Sequence, residues 1–266
     1  MKTFLPVLFA GLIFGATSVE AVEIIAHRGA SHDAPENTVA SFQLGWEQLA
    51  DADELDIYLT KDGQIVVMHD ASAKRTTGVD RQVADATLAE LRTLDAGRAK
   101  GAQWTGEKIP TLAEALATIP NGRRMFIEIK CGAEVLPELE RVMKASGRKP
   151  EQMVIIGFGY ETMQQARQRF PQAPIYWLAS AKADKETGQI PTIEDLIAKT
   201  KAAALNGLDL DFKFAIDAAF VGKVKAAGLE LYTWTVDDAL VARRLASAGV
   251  DGITTNRPAW LREQLR

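Results

Sequence analysis

Glu54 and Asp56 stand two residues apart in the stretch ELDIYLTKDGQIVVMHD, which runs from Glu54 to Asp70. Its apolar alternation predicts a strand from Glu54 to Leu59, a turn over Thr60-Lys61-Asp62-Gly63, and a second strand from Ile65 to Met68. Successive strand side chains point to opposite faces, so the two carboxylates project to one side and Leu55 and Ile57 to the other. Two carboxylates side by side repel each other and lose hydration on burial unless a cation sits between them. The Asp62-Gly63 turn brings the chain back and delivers His69 at the end of the second strand. A carboxylate pair and a histidine joined by one turn make a compact set of metal ligands plus a proton carrier.

Similar residues fall near the ends of other expected strands. His27 and Arg28 follow Glu23 to Ala26, and Glu128 and Lys130 end a strand from Met125. Trp234 and Thr235 end a strand from Glu230, and Asp251 and Thr254 flank one at Gly252. Glu54, Asp56 and Glu128 form a three-carboxylate set, whose oxygen-only donors favour Mg²⁺ or Ca²⁺ over zinc or copper. The alternative is ion pairing with Arg28 and Lys130, which does not require two carboxylates on one strand face. His27 and His69 suit general base and acid roles for displacement at phosphorus, since an imidazole ordinarily titrates at about 6.5. Arg28 and Lys130 would hold phosphate oxygens, Arg as a fork and Lys as a point charge. Trp234 would line the pocket or fill the barrel top. His32, in Ser31-His32-Asp33, reads as a satisfied core or surface residue.

The elements that must position these residues alternate. Short apolar strands, expected to start at residues 23, 53, 125, 153, 175, 203, 230 and 252, are separated by helices of ordinary length. Eight βα units predict a closed (β/α)₈ TIM barrel, whose functional residues gather at the C-terminal ends of the strands. A doubly wound open sheet is the alternative, but His27-Arg28-Gly29-Ala30 is not its glycine-rich phosphate loop. Thr38 or Asn37 is expected to cap a helix from Val39 to about Leu49, and Thr111 one reaching about Ile119. Residues 71–111 are the least periodic and read as an insertion in one loop of the scaffold.

The 266 residues are 47% hydrophobic, which is enough for a sizeable core. A formal net charge of −4 and a pI near 5.6 argue against nucleic-acid binding by phosphate neutralisation. Cys131 stands alone, so it forms no internal disulfide and reads as a small buried apolar residue. Residues 1–21, MKTFLPVLFAGLIFGATSVEA, read as a secretory signal: Lys2, an apolar run from Phe4 to Phe14, then Val19-Glu20-Ala21 as the cleavage site. The run falls short of the roughly 20 residues of a membrane span, and no Cys follows it for lipid attachment. The expected organisation is a signal over 1–21 and one barrel over 22–266, periplasmic or secreted, with no membrane span in the mature chain.

Several short runs are similar to the signature set of the glycerophosphodiester phosphodiesterase family. They are His27-Arg28-Gly29, Pro35-Glu36-Asn37-Thr38, Glu54-Leu55-Asp56, Thr60-Lys61-Asp62-Gly63, Val67-Met68-His69-Asp70, Arg75-Thr76-Thr77-Gly78, Glu128-Ile129-Lys130, Trp234-Thr235-Val236 and Gly249-Val250-Asp251-Gly252. The resemblance runs from about Glu23 to Pro258. It implies a (β/α)₈ barrel with a small insertion after the second strand. It also implies divalent-cation-dependent hydrolysis of small glycerophosphodiesters to glycerol 3-phosphate and an alcohol. By position, Glu54, Asp56 and Glu128 would be the metal ligands, His27 and His69 the acid–base pair, and Arg28 and Lys130 the phosphate grip. The implied route is attack of the glycerol 2-hydroxyl on phosphorus, followed by opening of the cyclic phosphate by water.

Three positions depart from the pattern. Asp53 replaces an apolar residue and is expected to turn away from Glu54 toward solvent or a helix cap. Leu49 replaces a common Gly, and Asn256 a frequent Asp. Two other readings are a phospholipase on intact lipid, D-type or phosphoinositide-specific, and a non-catalytic barrel that binds phosphorylated ligands. Retention of both histidines and all three carboxylates argues against the second. The mature chain is expected to begin at Val22. N-terminal sequencing of the exported protein checks this, and a chain still starting at Met1 overturns it.

Overall fold

Eight parallel strands close into a ring in the computed structural model, which describes residues 22–183 and 188–266. The expected signal, residues 1–21, lies outside the described residues. In chain order the strands are β1 (Glu23–Ala26), β2 (Ala52–Leu59), β3 (Ile65–Val67), β4 (Arg124–Ile129), β5 (Met153–Gly157), β6 (Ile175–Ala179), β7 (Gly207–Asp211), β8 (Glu230–Trp234) and β9 (Gly252–Thr255). The ring order is β1-β9-β8-β7-β6-β5-β4-β2, and pairing of β1 with β2 closes it. β3 runs antiparallel to the end of β2 and is not part of the ring. A helix follows each ring strand: α1 (Val39–Glu47) comes first, and the insertion carries the short α2 (Lys74–Thr77) and α3 (Leu88–Leu91). Then come α4 (Leu112–Ala117), α5 (Leu136–Ala145), α6 (Tyr160–Arg169), α7 (Ile193–Ala202), α8 (Ala218–Ala226), α9 (Ala239–Ala248) and α10 (Pro258–Gln264). Among the described residues no helix is long and apolar enough to cross a membrane.

Strand alternation sets the two layers of the core. Leu55 and Ile57 of β2, Ile127 and Ile129 of β4, and Leu208 and Leu210 of β7 are buried against the surrounding helices. Inward residues fill the ring. Phe126, Tyr176 and Tyr232 pack with centroids 4.7–6.1 Å apart, so the barrel is plugged below its upper end. Beneath that plug, Arg124 Nε donates to Glu23 Oε1 at 3.0 Å.

The insertion is a small packed unit, in which Ala73, Val83, Ala86, Leu91, Ala96 and Ile109 form a core with Val66 and Met68 from β3 and its end. Its ends are tied down where Val67 N donates to Pro110 O at 2.8 Å. Leu88 and Leu91 belong to one short helix, capped by Thr87, while Leu94 lies beyond its end.

Three expectations are corrected. The strand expected over Ala203–Leu208 is instead Gly207–Asp211, because the alanine-rich end of α7 stays helical to Ala202. Asp53 does turn away from Glu54, but it reaches neither solvent nor a cap: it is fully buried, and neither carboxyl oxygen has a hydrogen-bond partner. A side chain at Gly45 of α1 would strike Asp53 Oδ1 at 2.2 Å, so the helix lies directly on the carboxyl. Burial pushes that carboxyl well above the usual range, which favours the neutral acid. Asp251 is not at the chemical rim. It precedes β9 at the opposite end of the ring, accepts from Leu231 N at 2.6 Å and pairs with Lys225.

Thr38 caps α1, accepting from Ser41 N at 3.2 Å. The helix ends in a Schellman turn: Ala50 N donates to Gly45 O and Leu49 N to Trp46 O, both at 3.0 Å. The turn requires a left-handed residue at position 49, and Leu49 takes it at φ 62°. That conformation costs an L-residue with a Cβ about 1–2 kcal/mol, partly offset by the greater unfolded-chain freedom of glycine. The Leu49 side chain is more than half exposed, so little packing would be lost. Leu49→Gly is expected to stabilise the fold by about 0.5–1 kcal/mol, read as a higher urea midpoint with unchanged slope. A lower midpoint would contradict the strain argument.

Candidate functional site

The inner faces of β2 and β4 bring the three carboxylates together. Asp56 stands beside Glu128 in the strand register, and Glu54 lies two residues before Asp56 on the same face. Glu54, Asp56 and Glu128 are buried, and each offers an oxygen within 4.8 Å of those from the other two. One oxygen of each carboxylate is occupied. Arg28 N donates to Glu54 Oε2, Asn37 Nδ2 to Asp56 Oδ2, and Lys130 Nζ to Glu128 Oε1, all at 2.8 Å. Glu54 Oε1 and Asp56 Oδ1 are buried without a hydrogen-bond partner. Burial pushes the Glu54 carboxyl well up, and the Asp56 and Glu128 charges add to it. Burial and the Asp56 charge push Glu128 up to about 7, against Lys130. Asp56 is also pushed up by burial, but Arg28 and Lys130 outweigh this and hold it below the usual range. Orphaned, converging carboxylate oxygens with a shortage of positive charge fit a hard divalent cation.

Two imidazoles flank the cluster. His27 follows β1, and its Nδ1 lies 2.7 Å from Asn256 Oδ1, which also accepts from Ser31 Oγ at 2.8 Å. An accepting oxygen places the proton on Nδ1 and leaves Nε2 as an acceptor. Burial, then the Arg28 charge, pushes His27 down to about 4, so the ring is neutral. His69 follows β3, and its Nδ1 lies 2.7 Å from Asp70 Oδ1. His32 is elsewhere, on the surface beside Asp33. Cys131 is half-buried, and burial pushes its thiol up to about 11.

Arg28 and Lys130 border the cluster and are already engaged. Arg28 holds Glu36 at 2.9 Å and lies 3.3 Å from Asp56, on a backbone with φ 55°. Lys130 Nζ is 3.5 Å from Asp56 Oδ1 as well as bonded to Glu128. A chain of ion pairs ties Arg28 to the insertion. Arg75 donates to both oxygens of Glu36 at 2.7 Å and to Asp70 Oδ2 at 2.6 Å. Glu36, Asn37, Asp70, Arg75 and Asn256 thus hold the predicted residues in place. The first four lie in runs that stood out in the sequence and Asn256 was a departure from the pattern, but nothing there assigned them contacts.

These groups surround a cavity of about 190 Å³ at the C-terminal end of the ring. His27, Arg28, Glu54, His69, Glu128 and Lys130 form one side of it. Ile156, Phe158, Leu178 and Trp234 form the other, with Trp234 edge-on to Phe158 at 5.6 Å. Asp209 of β7 also lines the cavity, and sequence reasoning missed it because the strand was placed too early. Its alternation with Leu208 and Leu210 was the available signal. A larger recess of about 920 Å³ lies at the opposite end of the ring, where Glu23, Arg124 and Asp251 sit, and contains none of the predicted site residues.

Residues 27–260 match the model of the glycerophosphoryl diester phosphodiesterase family. A glycerophosphodiester phosphodiesterase of Caldanaerobacter subterraneus is 37% identical, over 90% of this chain and 95% of its own length. One from Bacillus subtilis is 33% identical, over 91% and 85% respectively. A phosphodiesterase of Oleispira antarctica, solved with the product sn-glycerol-3-phosphate, superposes with a TM-score of 0.83 at 30% identity, covering 92% of this chain and 97% of that one. The barrel, its carboxylate cluster and these likenesses together make the chain a member of the glycerophosphoryl diester phosphodiesterase family.

Proposed function

We propose that the upper end of the barrel is the catalytic centre through which this enzyme hydrolyses glycerophosphodiesters to glycerol 3-phosphate and an alcohol. The observation that carries the assignment is the convergence of buried carboxylate oxygens from Glu54, Asp56 and Glu128 within 4.8 Å, beside two imidazoles. Glu54, Asp56 and Glu128 would hold one divalent cation, Mg²⁺ or Ca²⁺. When bound, it supplies positive charge that offsets phosphate charge and acidifies a nearby hydroxyl.

The protein groups divide the remaining work. Arg28 and Lys130 orient the phosphate, and Trp234 bounds the pocket on the far side. Neutral His27 takes the proton of the glycerol 2-hydroxyl as its oxygen attacks phosphorus. His69, backed by the Asp70 carboxylate, gives a proton to the departing alcohol as its P–O bond breaks. In the second step a water attacks the cyclic phosphate and loses its proton to His69. His27 returns its proton to the 2-oxygen, and both residues regain their starting states. Lys2, the apolar run and Val19-Glu20-Ala21 support a periplasmic or secreted location. Recovery of uncleaved protein from the cytoplasmic fraction alone would overturn it.

The deciding experiment is glycerol 3-phosphate release from a panel of glycerophosphodiesters with Mg²⁺, with Ca²⁺ and with EDTA. Turnover is expected with a divalent cation and lost in EDTA, and His69→Ala is expected to lower kcat roughly 10²–10⁴-fold. A diester lacking the 2-hydroxyl is expected to remain intact, and its cleavage at an equal rate would rule out the cyclic route. The pH profile tests which imidazole is the base. His27 must be neutral to accept a proton, so at saturating divalent cation, which keeps Glu54, Asp56 and Glu128 ionised, kcat/KM is expected to fall as the pH drops through about 4. A carboxylate at position 256 would stabilise the imidazolium, and Asn256→Asp is expected to move the acid limb upward by about one pH unit or more. An unmoved limb would assign the base elsewhere.

A further inference from the structure

β7 alternates cleanly: Leu208 and Leu210 pack outward among the helices, and Asp209 and Asp211 point into the ring. Asp211 has a local task, accepting from Lys213 N at 3.1 Å where the chain leaves the strand. Asp209 has none. It is 2% exposed, and its Oδ1 has no hydrogen-bond partner among the described residues. A buried carboxyl oxygen left without a partner is unfavourable, so its presence in a cavity wall points to a ligand that satisfies it.

Its position narrows the ligand. In the ring order β7 stands four strands from β2 in either direction, so Asp209 faces the Glu54–Asp56 strand across the cavity. It is not part of the carboxylate cluster, although the Glu128 charge reaches it, and it shares the cavity wall with the apolar Ile156, Leu178 and Trp234. Trp234 Nε1 donates to the Asp209 carbonyl at 3.1 Å, which fixes the indole against the same strand. A carboxyl oxygen without a partner, beside apolar groups, suits one hydrogen-bond donor on an otherwise aliphatic group. The aromatic plug of Phe126, Tyr176 and Tyr232 closes the ring below. The buried end of the cavity therefore suits the invariant, small half of the substrate, and the variable alcohol is left to the open side.

We propose that Asp209 accepts a hydrogen bond from the terminal 1-hydroxyl of the glycerol half and so selects diesters in which that hydroxyl is free. The assignment rests on the function proposed above and deepens it. It separates deacylated diesters from 1-acyl lysolipids, in which the same oxygen is esterified and cannot donate.

The test compares glycerophosphocholine with its 1-deoxy analogue, the propane-1,2-diol phosphocholine diester, which keeps the reactive 2-hydroxyl. The wild-type enzyme is expected to favour the glycerol diester in kcat/KM by roughly tenfold to a hundredfold. Asp209→Leu is expected to bring that ratio close to one. Asp209→Asn, which keeps an acceptor and the shape, is expected to give an intermediate ratio and carries the test if the leucine variant fails to fold. An unchanged ratio in the asparagine variant, or a shifted Mg²⁺ titration midpoint with the ratio preserved, would overturn the assignment. A wild-type enzyme that cleaves both diesters equally overturns Asp209 alone. One that cleaves neither with any metal overturns the function on which the assignment rests.

Discussion

The structure depends on the mutual repulsion of three carboxylates held in one buried place. Nothing in the fold removes that repulsion. Glu54 and Asp56 share a strand face, and the β2–β4 register sets Glu128 beside them. The surroundings balance it only in part. Arg28 contributes a backbone donor to Glu54 and a charge near Asp56, Asn37 binds Asp56, and Lys130 binds Glu128. The opposed shifts of neighbouring carboxyls, Asp56 down and Glu54 and Glu128 up, are the signature of a cluster short of positive charge. The cost is concentrated where binding a cation can recover it.

The barrel separates the consequences of that cost from its own stability. The apolar outer layer and the aromatic plug hold the ring, and neither uses a residue from the cluster. Two unrelated buried carboxyls show the same contrast. Asp53 sits directly under α1, where burial favours its neutral form. Asp209 is equally buried, but it faces the cavity, where a ligand can reach it. Burial alone does not distinguish them; the side of the strand does.

Much of this was legible in the sequence, because strand periodicity is a local property. The alternation around Leu55 and Ile57 placed Glu54 and Asp56 on one face, and the strand ends placed His27, Glu128 and Lys130 at one rim. Asp251 shows the limit of counting only proximity to a strand, since it precedes β9 and so falls at the other end of the ring. The start of β7 was hidden by an alanine-rich segment that suits a helix end as well as a strand. Asp53 was placed on the correct face, but what covers that face is Gly45, in another element. The Glu36–Arg75 contact spans 39 residues and joins the loop before α1 to the short helix α2, and no local pattern encodes it.

That contact bears on how such an enzyme can be recombined. The insertion has its own small core and looks like a module. Its Arg75, however, completes the setting of Arg28 through Glu36 and of His69 through Asp70. Exchanging the 71–111 segment between barrels would transplant one side of this bracket and leave Glu36 and Asp70 behind. The natural unit of inheritance is therefore the insertion together with the loop before α1 and the end of β3, three stretches that are separate in sequence but joined through one guanidinium.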